Sequence, residues 1–370
     1  MRPRHINFLT NAAASSSGIF IPLVAKSLSA SPDQIGFLVA AFNAFGFTSS
    51  FLFGRAADVE GARKVLRAGL LLSAVAAVTQ PLARDPLELA ISRSVLGFAV
   101  GMYPAALLAY AKTADRLMGK FASYGSLGWG LGNLLAGGVA SLYPGIFWPV
   151  FSISAVLWFV AFLAATAAPL SGTGGMKVPF FPVAILRRNL PIYLTMFIRH
   201  AGANMVWVVF PLYLSEVRAF SDWQIGVLYA FNPFVQFAVM QRIDRYRASL
   251  LIVTGLVGSS LTFLVFIVSA DFVSMMAAQG LIGFSWATFY VGCLKFITEA
   301  NPETGTAGGL FNGVMSFSSI VGPVIGGFLA LSSYEAPMYV AAALSTASLG
   351  FYAYEARLVR IRRGSHPAER

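Results

Sequence analysis

Long apolar runs alternate with short polar, basic or glycine-containing segments along the whole chain. A helix needs about 20 mostly apolar residues to cross a hydrocarbon core ~30 Å thick. The pattern predicts twelve spanning helices, near residues 7–29, 34–56, 64–82, 87–112, 119–142, 145–168, 190–215, 223–243, 248–270, 272–298, 304–331 and 336–358. The first is the least apolar, so we expect it to need its neighbours to stay inserted.

Lysine and arginine are concentrated in every second connection between the predicted spans. With the N-terminus placed in the cytoplasm, 21 of the 26 basic residues lie on the cytoplasmic side. The outer segments hold only Lys26, Arg84 and Arg218. Cytoplasmic loops of membrane proteins carry this excess of positive charge. The pattern predicts an integral protein of the plasma membrane with both termini in the cytoplasm.

Composition agrees with this prediction, since 57% of the residues are hydrophobic and only 11% are charged. Soluble domains carry roughly 25% charged residues. A net charge of +11 would suggest nucleic-acid binding in a soluble protein. Here the basic clusters separate apolar runs, so we expect no nucleic-acid partner. The single cysteine, the absence of metal-ligand spacing and the absence of nucleotide-binding or hydrolase motifs predict no metal, no cofactor and no enzyme.

The two halves of the chain repeat one another at a spacing of about 190 residues. The matched segments are QIG at 34–36 and 224–226, AFN at 41–43 and 230–232, LGF at 96–98 with IGF at 282–284, and GG at 137–138 and 326–327. We therefore expect an all-α membrane fold of two pseudo-symmetric six-helix bundles. Their predicted bounds are 1–169 and 190–358, with a cytoplasmic linker over 170–189 and a cytoplasmic tail over 359–370. Such bundles can enclose a midplane cavity and rock about it.

The connection after the second span reads GRAADVEGARK over residues 54–64. Its glycines, aspartate and basic pair resemble the signature loop of the major facilitator superfamily (MFS). Span four reads RSVLGFAVG over residues 93–101 and resembles a second motif of that family. The resemblance covers the whole chain and implies the MFS fold. Together with the degenerate copy after span eight, it implies conformational gating by Gly54, Asp58, Gly61, Arg63, Lys64, Gly97, Gly101, Asp244 and Arg245.

A third motif is split between two spans. Proton-driven drug antiporters of the MFS carry Gly-Pro-x-x-Gly-Gly in span five. Here span five reads NLLAGG over 133–138, whereas span eleven reads GPVIGG over 322–327. This departure weakens an assignment to the antiporters.

In the family, spans one, four, seven and ten line the solute cavity. Each of these spans carries polar or aromatic residues at helical spacing here. The residues expected in the cavity are Asn11, Arg93, Tyr103, Arg199, His200, Asn204, Trp207, Gln279, Trp286 and Tyr290.

Buried charge limits the possible mechanisms. Arg93 and Arg199 lie inside spans, whereas no acid lies in the middle of one. Proton-coupled carriers usually use a buried titratable group, and His200 is the candidate at the midplane. Two buried arginines favour an anionic or strongly hydrogen-bonding solute, whereas the aromatic residues of span ten favour an amphipathic one. Structural roles, such as stacking of Arg199 on an aromatic ring, stay open.

The sequence thus predicts a monomeric secondary transporter that moves a small organic solute by alternating access, with export of amphipathic compounds or metabolites favoured. A uniporter or exchanger of an organic anion bound by buried arginine is the first alternative. A receptor or lipid scramblase on the same fold is the second. The expected partners are the solute, membrane lipid, and a proton or counter-transported anion.

Overall fold

The computed structural model describes residues 2–18, 21–30, 32–115, 117–142, 148–168, 175–210, 213–220 and 222–364. Within these residues the chain is almost entirely helical. The helices are α1 (Pro3–Gly18), α2 (Ile21–Ser27), α3 (Pro32–Ala56), α4 (Ala62–Thr79), α5 (Pro86–Ala114), α6 (Met118–Leu142), α7 (Trp148–Thr166), α8 (Val183–Trp207), α9 (Asp222–Met240), α10 (Ala248–Val268), α11 (Phe272–Ala300), α12 (Thr304–Ala330) and α13 (Ala336–Gly364). Because α1 and α2 share the first predicted span, the twelve-helix layout is confirmed.

The seventh span differs most from its predicted range of 190–215. Helix α8 begins at Val183, within the segment 170–189 that was predicted as a linker. Pro182 precedes it with a φ of −83°, a value compatible with a helix start, and lacks the N–H that a helix start leaves unpaired. The helix ends at Trp207, and a π-helical turn over Tyr213–Val217 follows.

Helix packing repeats between the two halves. In the first half, α1 packs on α6 and α7, α3 and α4 pack on α5, and α4 also packs on α7. In the second half, α8 packs on α12 and α13, α9 and α10 pack on α11, and α10 also packs on α13. Each of these contacts in the first bundle therefore has its equivalent in the second. The sequence repeat is the repeat of a six-helix packing unit.

The two bundles meet along two equivalent seams. Helix α3 packs against α12, and α6 packs against α9. In the repeat α3 corresponds to α9 and α6 to α12, so the two seams are equivalent. Helix α5 also contacts α12, and α6 contacts α11. Helices α1, α8 and α11 flank the space that these seams leave between the bundles.

Six helical segments among the described residues are long and apolar enough to cross a membrane: Leu38–Leu82, Pro86–Ala114, Trp148–Thr166, Ala248–Val268, Phe272–Ala300 and Thr304–Ala330. The first contains both α3 and α4, because the turn between them is π-helical. Helices α1 and α8 are less apolar because they carry polar side chains at the space between the bundles. Exposed Val75, Ile91 and Val156 form part of an apolar outer surface suited to lipid.

Glycines set the spacing between α3 and α5. A Cβ atom at Gly101 would lie 2.5 Å from the carbonyl oxygen of Gly46, and one at Gly97 would overlap the carbonyl oxygen of Phe42. This seam lies inside the first bundle. Gly97 and Gly101 therefore pack two helices of one bundle together, and do not lie between the bundles.

Replacing Gly101 by leucine should destabilise the protein, because the new side chain would meet backbone atoms that cannot move aside. Overpacking of this kind costs about 1–3 kcal/mol. The measurement is the apparent melting temperature of the purified protein in detergent. Gly350→Leu is the matched control, because a Cβ atom there has no neighbour within 4 Å. Equal melting temperatures for the two variants would contradict the packing described here.

Candidate solute cavity and gate

A cavity of about 420 Å³ lies between the two bundles. Its lining comes from both halves of the chain: Asn7, Asn11, Ala122, Gly125, Ser126, Trp129, His200, Trp207, Tyr229, Asn232, Pro233, Gln236, Gln279, Trp286, Tyr290 and Met315. These lining residues include no Asp, Glu, Lys or Arg. The volume is in the range of ordinary small-molecule sites. Six of the ten residues expected from the sequence lie here.

Aromatic rings form one wall of the cavity. Trp286 and Tyr290 are four residues apart on α11, so their side chains share one helix face. Their rings are stacked with centroids 5.2 Å apart and an interplanar angle of 15°. The ring of His200 lies 5.4 Å from that of Trp286. Trp286, Tyr290 and His200 all line the cavity, and their rings give it an aromatic wall against which a planar solute can pack.

His200 is held by two neighbours on its own bundle. Its Nδ1 lies 2.5 Å from the hydroxyl oxygen of Ser318 and 3.1 Å from the side-chain nitrogen of Asn204. The Ser318 hydroxyl also donates to the carbonyl oxygen of Met315. Asn204, expected in the cavity, is absent from the lining of the main cavity among the described residues and instead supports His200.

Arg199 lies behind the aromatic wall. Its side chain is buried, and its Nε and Nη2 donate to the hydroxyl oxygen of Ser259, at 3.0 and 2.9 Å. The guanidinium carbon lies 4.9 Å from the ring centre of Trp286 and 5.7 Å from that of Phe289. Arg199 borders a side pocket of about 160 Å³ and is absent from the main lining. Its contacts therefore tie α8 to α10 and α11.

Two further expected residues lie outside the main cavity. Tyr103 lines an adjoining space of about 260 Å³ and accepts a hydrogen bond from the indole nitrogen of Trp158. Arg93 lies over the ring of Phe42 at 4.3 Å, between α5 and α3. It is absent from the described lining of all three spaces, because it sits near the start of α5, towards the end of the bundle remote from the basic loops.

Most of the side chains that sequence reasoning missed come from α6 and α9. Ser126 donates to the amide oxygen of Gln236 at 2.9 Å, and Gln236 donates to that of Asn232 at 2.7 Å. Only spans one, four, seven and ten had been expected to line the cavity. Two amides four residues apart inside an apolar span were the available signal, because they share a helix face and are costly in lipid.

The connections at 57–61 and 241–247, with residues 115 and 117, lie at one end of the molecule, which we call the basic end. Here Asp58 accepts hydrogen bonds from the backbone nitrogens of Gly305 and Thr306, at 3.0 and 2.6 Å, and from the Thr306 hydroxyl at 2.6 Å. These nitrogens belong to the first turn of α12, in the other bundle. A carboxylate is stabilised there by unpaired N–H groups and by the helix dipole.

The loop glycines make this contact possible. Gly61 has a φ of +106°, which L side chains rarely adopt, and it ends the π-helical turn that presents Asp58. A Cβ atom at Gly54 would lie 2.6 Å from the Cα atom of Gly309 on α12.

Burial raises the pKa of the Asp58 carboxyl, and its hydrogen bonds from Thr306 and Gly305 oppose that rise.

Asp244 makes the equivalent contact in the opposite direction. It accepts from the backbone nitrogens of Gly119 and Lys120, at 2.7 and 3.0 Å, in the first turn of α6. Asp244 follows Asp58, and Gly305 follows Gly119, by the same number of residues. Each bundle thus supplies one aspartate to a helix N-terminus of the other. We call these contacts the two caps.

The three basic residues of the expected gating set make no hydrogen bond to the other bundle within the part of the chain that the structure describes. Arg63 and Lys64 are exposed and have no hydrogen bond or ion pair with any residue that the structure describes. Arg245 donates to the hydroxyl of Tyr246 in its own loop. Sequence reasoning missed Lys112, which reaches from α5 to the carbonyl oxygen of Asn301 at 2.6 Å. The hydrogen bonds of the two caps, of Lys112 and of Ser126 thus lie between the cavity and the basic end.

Asp244→Asn should loosen the seam between α6 and α9, because it removes a charge from two hydrogen bonds. Hydrogen bonds to charged groups contribute about 1.5–3 kcal/mol. The fraction of molecules in which the seam between α6 and α9 is open should therefore increase about tenfold or more. Met240→Cys, in a Cys293→Ser background, places a thiol at this buried seam. The measurement is its rate of reaction with a water-soluble maleimide.

Glu299→Gln is the control for Asp244→Asn, since Glu299 is an exposed acid at the same end. Its labelling rate should equal that of the parent. An unchanged rate in Asp244→Asn would contradict a closing role for this cap.

Comparison with known proteins agrees with this architecture. A family model described as Major Facilitator Superfamily matches residues 6–242 and 192–368. The quinolone resistance protein NorA of Staphylococcus aureus (strain MRSA252) is 28% identical over 164 residues, and the match spans 41% of each chain. The mouse (Mus musculus) solute carrier family 22 member 18 is 25% identical over 356 residues, 86% of each chain.

Two solved structures share the fold. The human organic anion transporter MFSD10 (TETRAN) superposes with a TM-score of 0.78 at 15% identity, covering 95% of this chain and 98% of its own. The proton:xylose symporter XylE superposes with a TM-score of 0.75 at 14% identity, covering 94% and 93%. With the family match extending over nearly the whole sequence, this chain belongs to the Major Facilitator Superfamily of membrane transporters.

Proposed function

We propose that this protein is a secondary transporter that exports a small, aromatic, amphipathic solute by alternating access. The observation that carries the proposal is the cavity between the bundles, which is lined by aromatic and amide side chains and closed at the basic end by the two caps. A carrier needs such a site together with contacts that close one end and can be exchanged for others.

The protein is proposed to lie in the plasma membrane with its basic end facing the cytoplasm. Loops at this end hold most of the lysines and arginines, as cytoplasmic loops do. In that orientation the caps close the cytoplasmic side, and the conformation is outward-facing. Breaking them would then be required for solute to enter from the cytoplasm.

Export of an uncharged solute is favoured over exchange of an anion. Arg199 already donates twice to Ser259 and lies behind Trp286, so its charge is engaged away from the main cavity. The partial relative NorA is a quinolone resistance protein, which supports export of aromatic compounds. MFSD10, similar in fold, is an organic anion transporter, so a carboxylated solute belongs in any test panel.

His200 is proposed as the proton-coupling group. The imidazole ring lines the cavity, packs against Trp286 and is hydrogen-bonded to Ser318. Among the described lining residues of the main cavity, no carboxyl is present to take this role. Imidazole changes charge within the physiological pH range in water, and in a protein its surroundings determine the pH at which it does so.

Transport should be measured in proteoliposomes with a panel of neutral, cationic and anionic aromatic solutes. Trp286→Ala should lower uptake of the transported solute at least tenfold, because it removes the stacking surface. Trp148→Ala is the matched control, since Trp148 is an exposed tryptophan at the start of α7. Absence of transport for the whole panel, or equal activity in the two variants, would contradict the proposal.

Coupling is tested by His200→Gln, which keeps a hydrogen-bonding side chain and cannot titrate. We expect counterflow of labelled solute against unlabelled solute to continue, whereas accumulation driven by a pH gradient is lost. If the gradient drives accumulation in this variant as in the wild type, His200 is not the coupling group.

A further inference from the structure

The hydrogen bonds among four cavity side chains run in one direction. Ser126 on α6 donates to the oxygen of Gln236, and the nitrogen of Gln236 donates to the oxygen of Asn232. The nitrogen of Asn232 then donates to the oxygen of Gln279 on α11, at 3.4 Å. In this row, which we call the amide ladder, each amide oxygen receives a hydrogen bond. The nitrogens of Gln236 and Asn232 are each directed to the next member.

The ladder ends on a donor without an acceptor. The side chain of Gln279 is 1% exposed, and its Nε2 has no hydrogen-bond partner among the described residues. The hydroxyl of Tyr229 is buried and unpaired in the same sense. Both residues line the main cavity. A buried donor is unfavourable when it has no partner, so this cavity is suited to a ligand that supplies an acceptor.

We infer that the end of the amide ladder, formed by Gln279 with Tyr229, binds the carbonyl oxygen of an uncharged planar aromatic solute. The inference rests on the proposed function and specifies the substrate class of the same cavity. The solute's rings would pack against the side chains of Trp286 and Tyr290, which line the same cavity on the same helix as Gln279. Its oxygen would accept from the Gln279 nitrogen and from the Tyr229 hydroxyl.

While His200 is neutral, the chemistry of the lining selects against charged solutes. The described lining of the main cavity offers no carboxylate to a cation, and the nearest guanidinium, that of Arg199, is bound to Ser259. A carboxylate would need several donors to replace its water shell, and the ladder presents a single free amide nitrogen. A neutral carbonyl needs only one or two.

The ladder also joins the site to the seam between the bundles. Ser126 lies in the first bundle, whereas Gln236, Asn232 and Gln279 lie in the second. Hydrogen bonds in a chain polarise one another. An acceptor bound at Gln279 therefore strengthens the bond between Ser126 and Gln236, and with it the contact between α6 and α9.

The test compares two probes that differ in a single group. Fluorenone and fluorene have the same planar ring system, but only fluorenone has a carbonyl. A third probe, 9-oxofluorene-2-carboxylate, adds a negative charge. Binding to the full-length protein in nanodiscs is measured by quenching of tryptophan fluorescence, since Trp129, Trp207 and Trp286 line the cavity.

We expect wild type to bind fluorenone about tenfold more tightly than fluorene, and more tightly than the carboxylate. Gln279→Leu should remove the preference for fluorenone and leave fluorene affinity within twofold. Gln80→Leu should change neither, because Gln80 is a buried glutamine in the turn after α4, remote from the cavity lining. If Gln279→Leu does not fold, the comparison of probes on wild type and on Tyr229→Phe decides the matter.

The inference is overturned if wild type binds neither neutral probe, if it prefers the carboxylate, or if Gln279→Leu weakens fluorene as much as fluorenone. These outcomes are separate from the transport assay. Solute uptake that depends on Trp286 but not on Gln279 would leave the transporter proposal standing without this site. Fluorenone binding through Gln279 without uptake of any solute would leave the site standing without transport.

Discussion

The closed end of this molecule depends on two carboxylates, each bound to the first turn of a helix in the other bundle. A helix N-terminus offers unpaired N–H groups and a partial positive charge, so a carboxylate binds there without a cationic partner. A bond to backbone also depends little on side-chain identity in the helix. This explains how Thr306 and Lys120, which are chemically unlike, occupy equivalent positions.

The caps matter because the helices within each bundle are closely packed. Gly97 and Gly101 lie on α5 and contact the backbone of α3, so these two helices of one bundle approach each other closely. Contacts between the bundles are fewer, and they include the hydrogen bonds that run from the amide ladder to the basic end. Packed units joined by a few exchangeable polar contacts can rock with little internal repacking. We propose that the cavity is exposed alternately to the two sides in this way.

Sequence predicted the features that depend on local pattern, and missed those that depend on tertiary partners. The spans, the repeat and the aromatic face of Trp286 and Tyr290 follow from periodicity, and they are present in the structure. Asp58 was recognised from its loop, but its partner on α12 is 247 residues away in sequence. The sequence placed Arg93 and Arg199 in the cavity, because a charged residue inside a span is expected to face a cavity or a partner and not lipid. Aromatic rings and Ser259 accommodate them instead.

The distance between the bundles at each end tests the account most directly. In a Cys293→Ser background, spin labels at Glu60 and Glu299 report on the basic end, and labels at Arg84 and Ser333 report on the opposite end. Electron–electron double resonance should give a short, narrow distance at the basic end of the otherwise unaltered protein. Asp58→Asn combined with Asp244→Asn should lengthen that distance and shorten the one at the opposite end. Unchanged distributions at both ends in the double variant would contradict the account.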